Sequence, residues 1–225
     1  METLVKYKLI TREEANEWFN IMELLKQNKI PETYDMFKSK DKFHQNQLSN
    51  SSTYIRSYIV PLQGFSLLSW DWIRPLALWI GNRKCIEIMA GCGSLTKCLQ
   101  DCGVKIFATD NYEWHNRESY IVWNDSWTEI EKIDCVKAIN KYGKDIDIII
   151  CSWPEMNDIA YHCLCAMRNV NPNCIMIYIG EPYMGCTASD LFFENAEYIE
   201  NDSFNEIAKI YKPFAAIRDG LFIVK

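Results

Sequence analysis

Two short and almost entirely apolar runs constrain the fold of this chain more than any other feature of its sequence. They lie at residues 147–151 and 174–179, where Ile, Met, Cys and Tyr fill nearly every position. Strands of this kind are typically buried on both faces, as in a parallel sheet that is covered by helices on both sides. A helical pattern follows each run, and alternating strands and helices are typical of this architecture. The sequence therefore predicts an α/β fold with a doubly wound, mostly parallel sheet.

The same alternation extends from residue 84 to the end of the chain. Further strands are predicted at 85–89, 104–109 and 220–225, and another strand is predicted to end at Asp125-Ser126, after Val122-Trp123-Asn124. A Ser or Thr followed three residues later by an acid indicates the start of a helix. Capping signals and helical periodicity together predict helices at about 71–80, 94–102, 126–142 (opened by Ser126) and 156–168, and further helix starts near Thr187 and Ser203.

The N-terminal part of the chain has a different pattern. Thr11 opens a capping box, and apolar residues then recur at helical intervals over residues 15–25. Residues 38–53 are polar and have the composition of a loop. We therefore expect an N-terminal helical extension over residues 1–53 and one main domain over residues 54–225.

Charge and apolar content restrict the possible partners. Lys and Arg number 24 against 30 for Asp and Glu, which gives a net charge of −6. Proteins that depend on phosphate contacts are usually basic, so a nucleic acid is disfavoured and a small molecule is the expected partner. No apolar run approaches the about 20 residues that cross a bilayer, and the first residues lack the pattern of a signal peptide. We therefore expect no membrane contact and a cytoplasmic location.

The ten cysteines are scattered along the chain, and several of them adjoin aliphatic residues. No Cys-x-x-Cys pair occurs, whereas a zinc site normally needs two such pairs at regular spacing. We expect reduced thiols that act as small buried apolar groups, and no metal site.

A pair of glycines follows the first strand of the main domain. Gly91 and Gly93 allow a sharp turn from strand to helix and the close approach of a ligand to the backbone. The first N–H groups of the following helix face such a ligand. Asp110 closes the next strand, where a carboxylate can accept hydrogen bonds from both hydroxyls of a ribose. The pattern therefore predicts a nucleoside-containing cofactor at this edge of the sheet.

With these residues, the chain resembles the class I S-adenosylmethionine-dependent methyltransferases over roughly residues 55–225. The first motif of that family reads Glu/Asp-x-Gly-x-Gly-x-Gly, and here Met89 stands in place of the first glycine. The resemblance implies a Rossmann-like methyltransferase sheet and S-adenosylmethionine as cofactor, with its amino-acid part at the glycine-rich turn. It also implies that Asp110 holds the ribose and that Asp125 lies near the adenine. The cofactor-binding residues expected on this basis are Glu87, Met89, Ala90, Gly91, Gly93, Asp110, Asn111, Asp125, Ser126 and Cys151.

The fourth strand ends where amino-methylating members of that family carry an Asp/Asn-Pro-Pro-aromatic motif. Here Ser152 replaces the Asp or Asn, Trp153 replaces the first proline, and Pro154 remains. The resemblance implies that these three residues shape the pocket for the methyl acceptor. Glu181 follows the fifth strand, where a carboxylate could act as a general base or fix an acceptor hydroxyl or amine. We therefore predict Ser152, Trp153, Pro154 and Glu181 as the catalytic residues of a methyltransferase with an unidentified, small-molecule acceptor.

Two other functions remain open at this stage. A nicotinamide-dependent enzyme would use the same turn, but its Gly-x-Gly-x-x-Gly motif requires a glycine where this chain has Thr96. A catalytically silent protein that binds the cofactor, or keeps only the architecture, would explain the departures at Met89, Ser152 and Trp153. The aromatic-rich segment 64–72 is also open to two interpretations, as a cover over the cofactor or as part of the core.

Overall fold

The computed structural model describes residues 11–34, 56–113, 125–214 and 217–225. Within these ranges, six strands form one sheet in the order β3-β2-β1-β4-β5-β6. The strands are β1 (Cys85–Ile88), β2 (Ile106–Asp110), β3 (Ile130–Lys132), β4 (Ile148–Ser152), β5 (Ile175–Gly180) and β6 (Gly220–Val224).

The first five strands are parallel to their neighbours, and β6 runs antiparallel to β5. This confirms the predicted α/β fold with a doubly wound, mostly parallel sheet. From β1 the chain builds the sheet outward through β2 and β3 on one side, and then through β4, β5 and β6 on the other. The strand order therefore reverses between β1 and β4, and ligands of such sheets bind beyond the carboxyl ends of the strands at this switch point.

Helices cover both faces of the sheet. Residues 56–63 are also helical, in addition to the seven helices whose full bounds the described ranges contain. These are α1 (Arg12–Leu25), α2 (Trp70–Ile80), α3 (Ser94–Asp101), α4 (Cys135–Tyr142), α5 (Ile159–Val170), α6 (Asp190–Asn195) and α7 (Asp202–Ile210).

The central strand β4 explains why the core has two halves. Ile148 and Ile150 belong to one apolar cluster, and Ile149 and Cys151 belong to the other. Successive side chains of a strand point to opposite faces, so a run that is apolar at every position supplies both halves. The first cluster packs against α1, α2, α3 and α7, and the second packs against α4, α5 and α6.

Helix α1 packs on the main domain through its apolar face. Trp18, Ile21 and Leu25 are buried in the same cluster as Trp72 of α2. The helix begins directly after Thr11, as its capping signal predicts. The predicted division between residues 1–53 and 54–225 stays a prediction, because residues 35–55 lie outside the described ranges.

The prediction for the region of the third strand was wrong. Strand β3 is Ile130–Lys132, and Asp125 and Ser126 precede it instead of ending a strand. Residues 114–124 themselves lie outside the described ranges. The predicted helix from Ser126 does not form, because residues 130–132 pair with 108–110 of β2. Long-range pairing has overridden a local capping signal.

Helix α4 begins later, at Cys135. The side chain of Asp134 accepts a hydrogen bond of 3.0 Å from the backbone N–H of Lys137, which is the contact of an N-cap.

Two other helix starts differ from the prediction. The side chain of Asn201, not Ser203, caps α7 by accepting from the backbone N–H of Phe204 at 3.0 Å. Helix α6 begins at Asp190, and the hydroxyl of Thr187 contacts the loop after β5 instead of capping this helix. Both segments do contain a helix, so the element type was right and the capping residue was not.

The described ranges contain no helix that is both long and apolar enough to cross a membrane. In the same ranges, no three His, Cys, Asp or Glu side chains come together as metal ligands. All ten cysteines are free thiols; seven of them are buried, and Cys102, Cys165 and Cys186 are exposed.

Two leucines of α2 test how the core depends on this helix. Leu76 is 0% exposed and Leu78 is 84% exposed. Leu76→Ala should lower the free energy of unfolding by about 2–5 kcal/mol, because it leaves a cavity in the core. Leu78→Ala should change it by less than about 0.5 kcal/mol. Urea unfolding of both variants measures the difference, and equal losses would contradict this packing.

Candidate functional site

A cavity of about 520 Å³ lies beyond the carboxyl ends of β1 and β4. Its volume is in the range of about 300–1,000 Å³ that small-molecule sites have. The cavity is where the reversal of strand order predicts a ligand. Of the predicted site residues, its wall contains Glu87, Met89, Ala90, Gly91, Asp110, Asn111, Ser152, Trp153 and Pro154.

The turn after β1, residues 89–93, forms one side of the cavity and is called the glycine turn below. Gly91 and Gly93 have φ values of 59° and 72°, in the left-handed region that glycine adopts without strain. Met89 has a φ of 53°, although a side chain in this region costs about 1–2 kcal/mol. The glycine that Met89 replaces in the family motif would adopt this conformation freely. The turn geometry is therefore retained at some expense of stability.

Asp110 closes β2 and reaches the glycine turn directly. One carboxylate oxygen accepts a hydrogen bond of 2.8 Å from the backbone N–H of Gly91. The other accepts one of 2.6 Å from the backbone N–H of Tyr112. The side chain is 4% exposed, yet it forms part of the cavity wall. The acid and the turn that the sequence predicts as a cofactor site are thus in contact.

Glu87 lies beneath the turn and is almost completely buried. Its carboxylate accepts hydrogen bonds from the backbone N–H of Thr96, at 3.0 Å, and from the hydroxyl of the same residue. Burial raises the pKa of Glu87 to about 7, although these hydrogen bonds act in the opposite direction. The nearby charge of Asp110 raises it further. Glu87 therefore carries a proton over part of the physiological pH range.

Ser152 and Trp153 form the opposite side of the cavity, at the end of β4. The hydroxyls of Ser152 and Ser66 are 2.8 Å apart and share a hydrogen bond. Trp153 has a φ of 52°, which makes it a second strained residue in the wall. Its ring stacks on Phe65 with a centroid distance of 5.5 Å and an interplanar angle of 18°.

The residues that cover this side of the cavity come from before the sheet. We call residues 63–68 the covering segment; Gln63, Gly64, Phe65, Ser66 and Leu68 contribute to the wall. Leu67, Leu68 and Trp72 of the aromatic-rich region belong to the core, which confirms that interpretation for these residues. The other interpretation, a cover over a cofactor, stays a prediction.

Glu181 lies apart from the cavity wall. Its carboxylate accepts from the backbone N–H of Cys186 at 2.8 Å and of Arg218 at 3.0 Å. Burial acts to raise the pKa of Glu181, but the hydrogen bonds from Cys186 and Arg218 outweigh it and hold the pKa below its ordinary value. Glu181 is therefore an ionised residue that organises the loop after β5.

Four other predicted residues are also not part of the wall. Gly93 and Cys151 are buried behind it, and Asp125 and Ser126 are exposed before β3.

The wall also contains side chains with chemically active groups that the sequence did not single out. They include Glu113, Asp134, Cys135, Glu155 and Asn157. Glu155 and Asn157 come directly after β4, so the rule that sites lie at strand ends could have found them. Asp134 and Cys135 could not be found, because the start of α4 was misplaced.

The charged side chains that line the cavity are acidic, and the guanidinium of Arg56 lies over the rings of the wall residues Trp153 and Phe65, at 5.0 and 5.4 Å from their centroids. Five carboxylates line the cavity, and the described residues of its wall include no Lys, Arg or His. The acidic residues are Glu87, Asp110, Glu113, Asp134 and Glu155.

Comparisons with known proteins find a fold-level likeness. The sequence matches no protein-family model and no curated protein. Solved structures that it resembles include the methyltransferase CcbJ from Streptomyces caelestis, at 11% identity and a TM-score of 0.43 over 68% of this chain and 88% of that one. The magnesium protoporphyrin IX methyltransferase ChlM from Synechocystis PCC 6803, with bound S-adenosylmethionine, has 12% identity and a TM-score of 0.39 over 85% and 94%. A variant of MtNAS in complex with S-adenosylmethionine has 11% identity and a TM-score of 0.44 over 99% of this chain and 95% of that one.

The identity between this chain and each of these solved structures is 11–12%. Because their TM-scores lie below 0.5, the case for a function depends on the geometry of the site.

The two glycines of the turn differ in what surrounds them. A Cβ atom on Gly93 would lie 3.0 Å from Cγ2 of Thr128, whereas one on Gly91 would meet no atom within 4 Å. Gly91→Ala should lower the free energy of unfolding by about 1–2 kcal/mol through its positive φ alone. Gly93→Ala should lower it by about 1–3 kcal/mol more, through the clash. Equal losses in urea unfolding would contradict the packing of the turn against Thr128.

The raised pKa of Glu87 predicts a pH dependence of stability. Its pKa in the folded protein, about 7, exceeds the ordinary value of 4.5, so the folded state binds this proton more tightly than the unfolded chain. The stabilisation is complete below about pH 4.5 and is lost as the pH rises through 7. From pH 5 to pH 8, the free energy of unfolding of the wild-type protein should fall by up to about 3 kcal/mol more than that of Glu87→Gln. Urea unfolding at both pH values tests this, and parallel losses would contradict it.

Proposed function

We propose that this protein is an S-adenosylmethionine-dependent methyltransferase that acts on a small-molecule acceptor. The observation that carries the proposal is the 2.8 Å hydrogen bond between the Asp110 carboxylate and the Gly91 amide, inside the cavity. A carboxylate has about four acceptor positions, so it can hold turn amides and ligand hydroxyls together. Asp110 would bind the ribose hydroxyls, and the glycine turn would hold the amino-acid part of the cofactor.

The charge of the cavity supports the same cofactor. The sulfonium and ammonium groups of S-adenosylmethionine outweigh its one carboxylate, and the four lining acids other than Glu87 attract the resulting net positive charge. A dinucleotide carries two negative charges on its pyrophosphate, and the described wall has no basic residue to balance them. The acidic lining of the cavity therefore favours S-adenosylmethionine over a nicotinamide dinucleotide.

The start of α3 gives a second argument against a dinucleotide. In dinucleotide-binding folds, the pyrophosphate lies on the free N–H groups of the helix that follows the turn. Here the N–H of Thr96 donates to the Glu87 carboxylate, and Thr96 is 0% exposed. An internal acid thus occupies a donor that the pyrophosphate would require.

The residues at the end of β4 would form the acceptor side of the site. Methyl transfer from a sulfonium is an in-line displacement on an already activated carbon, so the protein chiefly has to align the acceptor and exclude water. Phe65 and Trp153 supply a stacked aromatic wall, and Pro154 lies beside them. The hydroxyl of Ser152 can accept a hydrogen bond from an acceptor amine or hydroxyl.

One observation favours the alternative, a silent binding or scaffold protein. Glu181, the predicted general base, is held by two amides away from the cavity wall. A site without a base could still bind the cofactor and act as a sensor. Both a methyltransferase and a silent binding protein would bind the cofactor, so a measurement of methyl transfer separates them.

Calorimetry with S-adenosylmethionine, S-adenosylhomocysteine and NAD tests the proposal. We expect binding of both adenosyl compounds, tighter binding of the charged one at low salt, and no binding of NAD. Transfer of a labelled methyl group to a component of a small-molecule extract should follow. Binding without transfer would support the silent alternative, and binding of NAD alone would overturn the proposal.

Asp110 should dominate cofactor affinity. Asp110→Ala should raise the Kd for S-adenosylhomocysteine about 30- to 100-fold, the equivalent of about 2–3 kcal/mol for lost charge-assisted hydrogen bonds. Asp101→Asn removes the same charge from an exposed position at the end of α3 and should leave the Kd within about twofold. Calorimetry on folded variants measures both, and an unchanged Kd in Asp110→Ala would contradict the assignment.

A further inference from the structure

A buried carboxylate outside the cavity contacts the aromatic wall. The side chain of Asp219 is 5% exposed and precedes β6 directly. One of its oxygens accepts a hydrogen bond of 2.9 Å from the indole Nε1–H of Trp153. The same oxygen accepts one of 2.5 Å from the hydroxyl of Tyr211. Asp219 itself does not line the cavity, so it can influence a ligand only through its partners.

The second partner fixes this carboxylate to the core. Tyr211 is 6% exposed, and its ring packs edge-on against Trp72 with a centroid distance of 5.2 Å. Because Tyr211 is held by the core, the Asp219 oxygen between the two donors has a defined position. The Trp153 indole is therefore tied to the hydrophobic core through Asp219 and Tyr211.

Keeping an acid at this position costs free energy. The other carboxylate oxygen of Asp219 is buried and has no hydrogen-bond partner among the described residues. Burial raises the pKa of Asp219, against the hydrogen bonds from Tyr211 and Trp153 and the charge of Arg56. A buried carboxylate with one unpaired oxygen is costly, and the contacts that offset this cost are its hydrogen bonds from Trp153 and Tyr211 and the charge of Arg56.

Trp153 needs such a constraint because its backbone is strained. With a φ of 52°, it occupies a region that side chains normally avoid. Its backbone N–H donates to the carbonyl of Ile179 at 2.7 Å, and its ring stacks on Phe65. The backbone of Trp153 is thus held by β5, its ring face by the covering segment, and its indole nitrogen by Asp219.

We propose that Asp219 is a positioning residue that holds the Trp153 indole in the cavity wall, on the side of the methyl acceptor. The mechanistic part of this inference rests on the function proposed above; the structural part does not. Without Asp219 the indole can rotate, and a displacement of about 1 Å in a residue that aligns a substrate can reduce a rate about 100-fold.

Nuclear magnetic resonance of the full chain tests the structural part. The indole N–H resonance of Trp153 is assigned by its absence in Trp153→Phe, and its exchange with solvent is measured. Asp219→Leu should speed this exchange at least tenfold, and Asp219→Asn should preserve it, because its amide oxygen can still accept. The indole N–H of Trp127, which donates to the carbonyl of Leu62 at 2.8 Å, should not change and serves as the internal control.

If the Leu variant does not fold, Asp219→Ser keeps a polar group that is too short to reach the indole and should give the same faster exchange. Unchanged exchange of the Trp153 N–H in either folded variant would overturn the proposal.

Kinetics test the mechanistic part with the acceptor identified by methyl transfer. Asp219→Leu should lower kcat at least tenfold and leave the Kd for S-adenosylhomocysteine within twofold, and Asp219→Asn should recover most of the rate. The double variant Trp153→Phe with Asp219→Leu should lose no more than Trp153→Phe alone, since both changes act through one indole. Multiplicative losses would contradict this role. If the wild type binds no adenosyl compound, the proposed function fails while the exchange result still decides the position of Trp153.

Discussion

The hydrogen bond between Asp110 and the Gly91 amide is the contact on which the rest of the site depends. Its position follows from the sheet, because Ile88 pairs with Thr109 and the acid is the next residue of β2. The carboxylate therefore meets the glycine turn wherever the two strands are in this register. A one-residue shift in register would send the acid to the other face of the sheet. The topology of the fold thus places the negative charge of Asp110 at the glycine turn.

Two strained residues share the cavity wall with this contact. Met89 and Trp153 have φ values of 53° and 52°, and each follows a strand on one side of the switch point. Strain of this kind persists only where the surrounding structure enforces it, and it concentrates at binding sites. At Met89 the sheet enforces it through the backbone of the turn, where the N–H of Ala90 donates to the carbonyl of Thr109 at 3.0 Å. At Trp153 the indole nitrogen and the ring face are held as well.

The sequence predicts those features that depend on local pattern and on the end of a buried strand. The apolar runs of β4 and β5 predict the sheet, and the end of β2 predicts Asp110. Strand β3 could not be predicted, since its three residues have no strand pattern of their own and pair only because β2 is adjacent. Asp219 was missed for a similar reason: it meets Trp153 across 66 positions of sequence. Glu181 follows its strand as expected, but two loop amides draw its carboxylate away from the cavity.

The central claim is that an adenosyl cofactor binds at the glycine turn, with its ribose on Asp110. A crystal structure of the protein grown with S-adenosylhomocysteine tests this most directly. The account predicts electron density for the ligand in the cavity beyond β1 and β4, with both ribose hydroxyls within hydrogen-bond distance of the Asp110 carboxylate. Density for the ribose elsewhere, or a cavity that stays empty at saturating ligand, would contradict it.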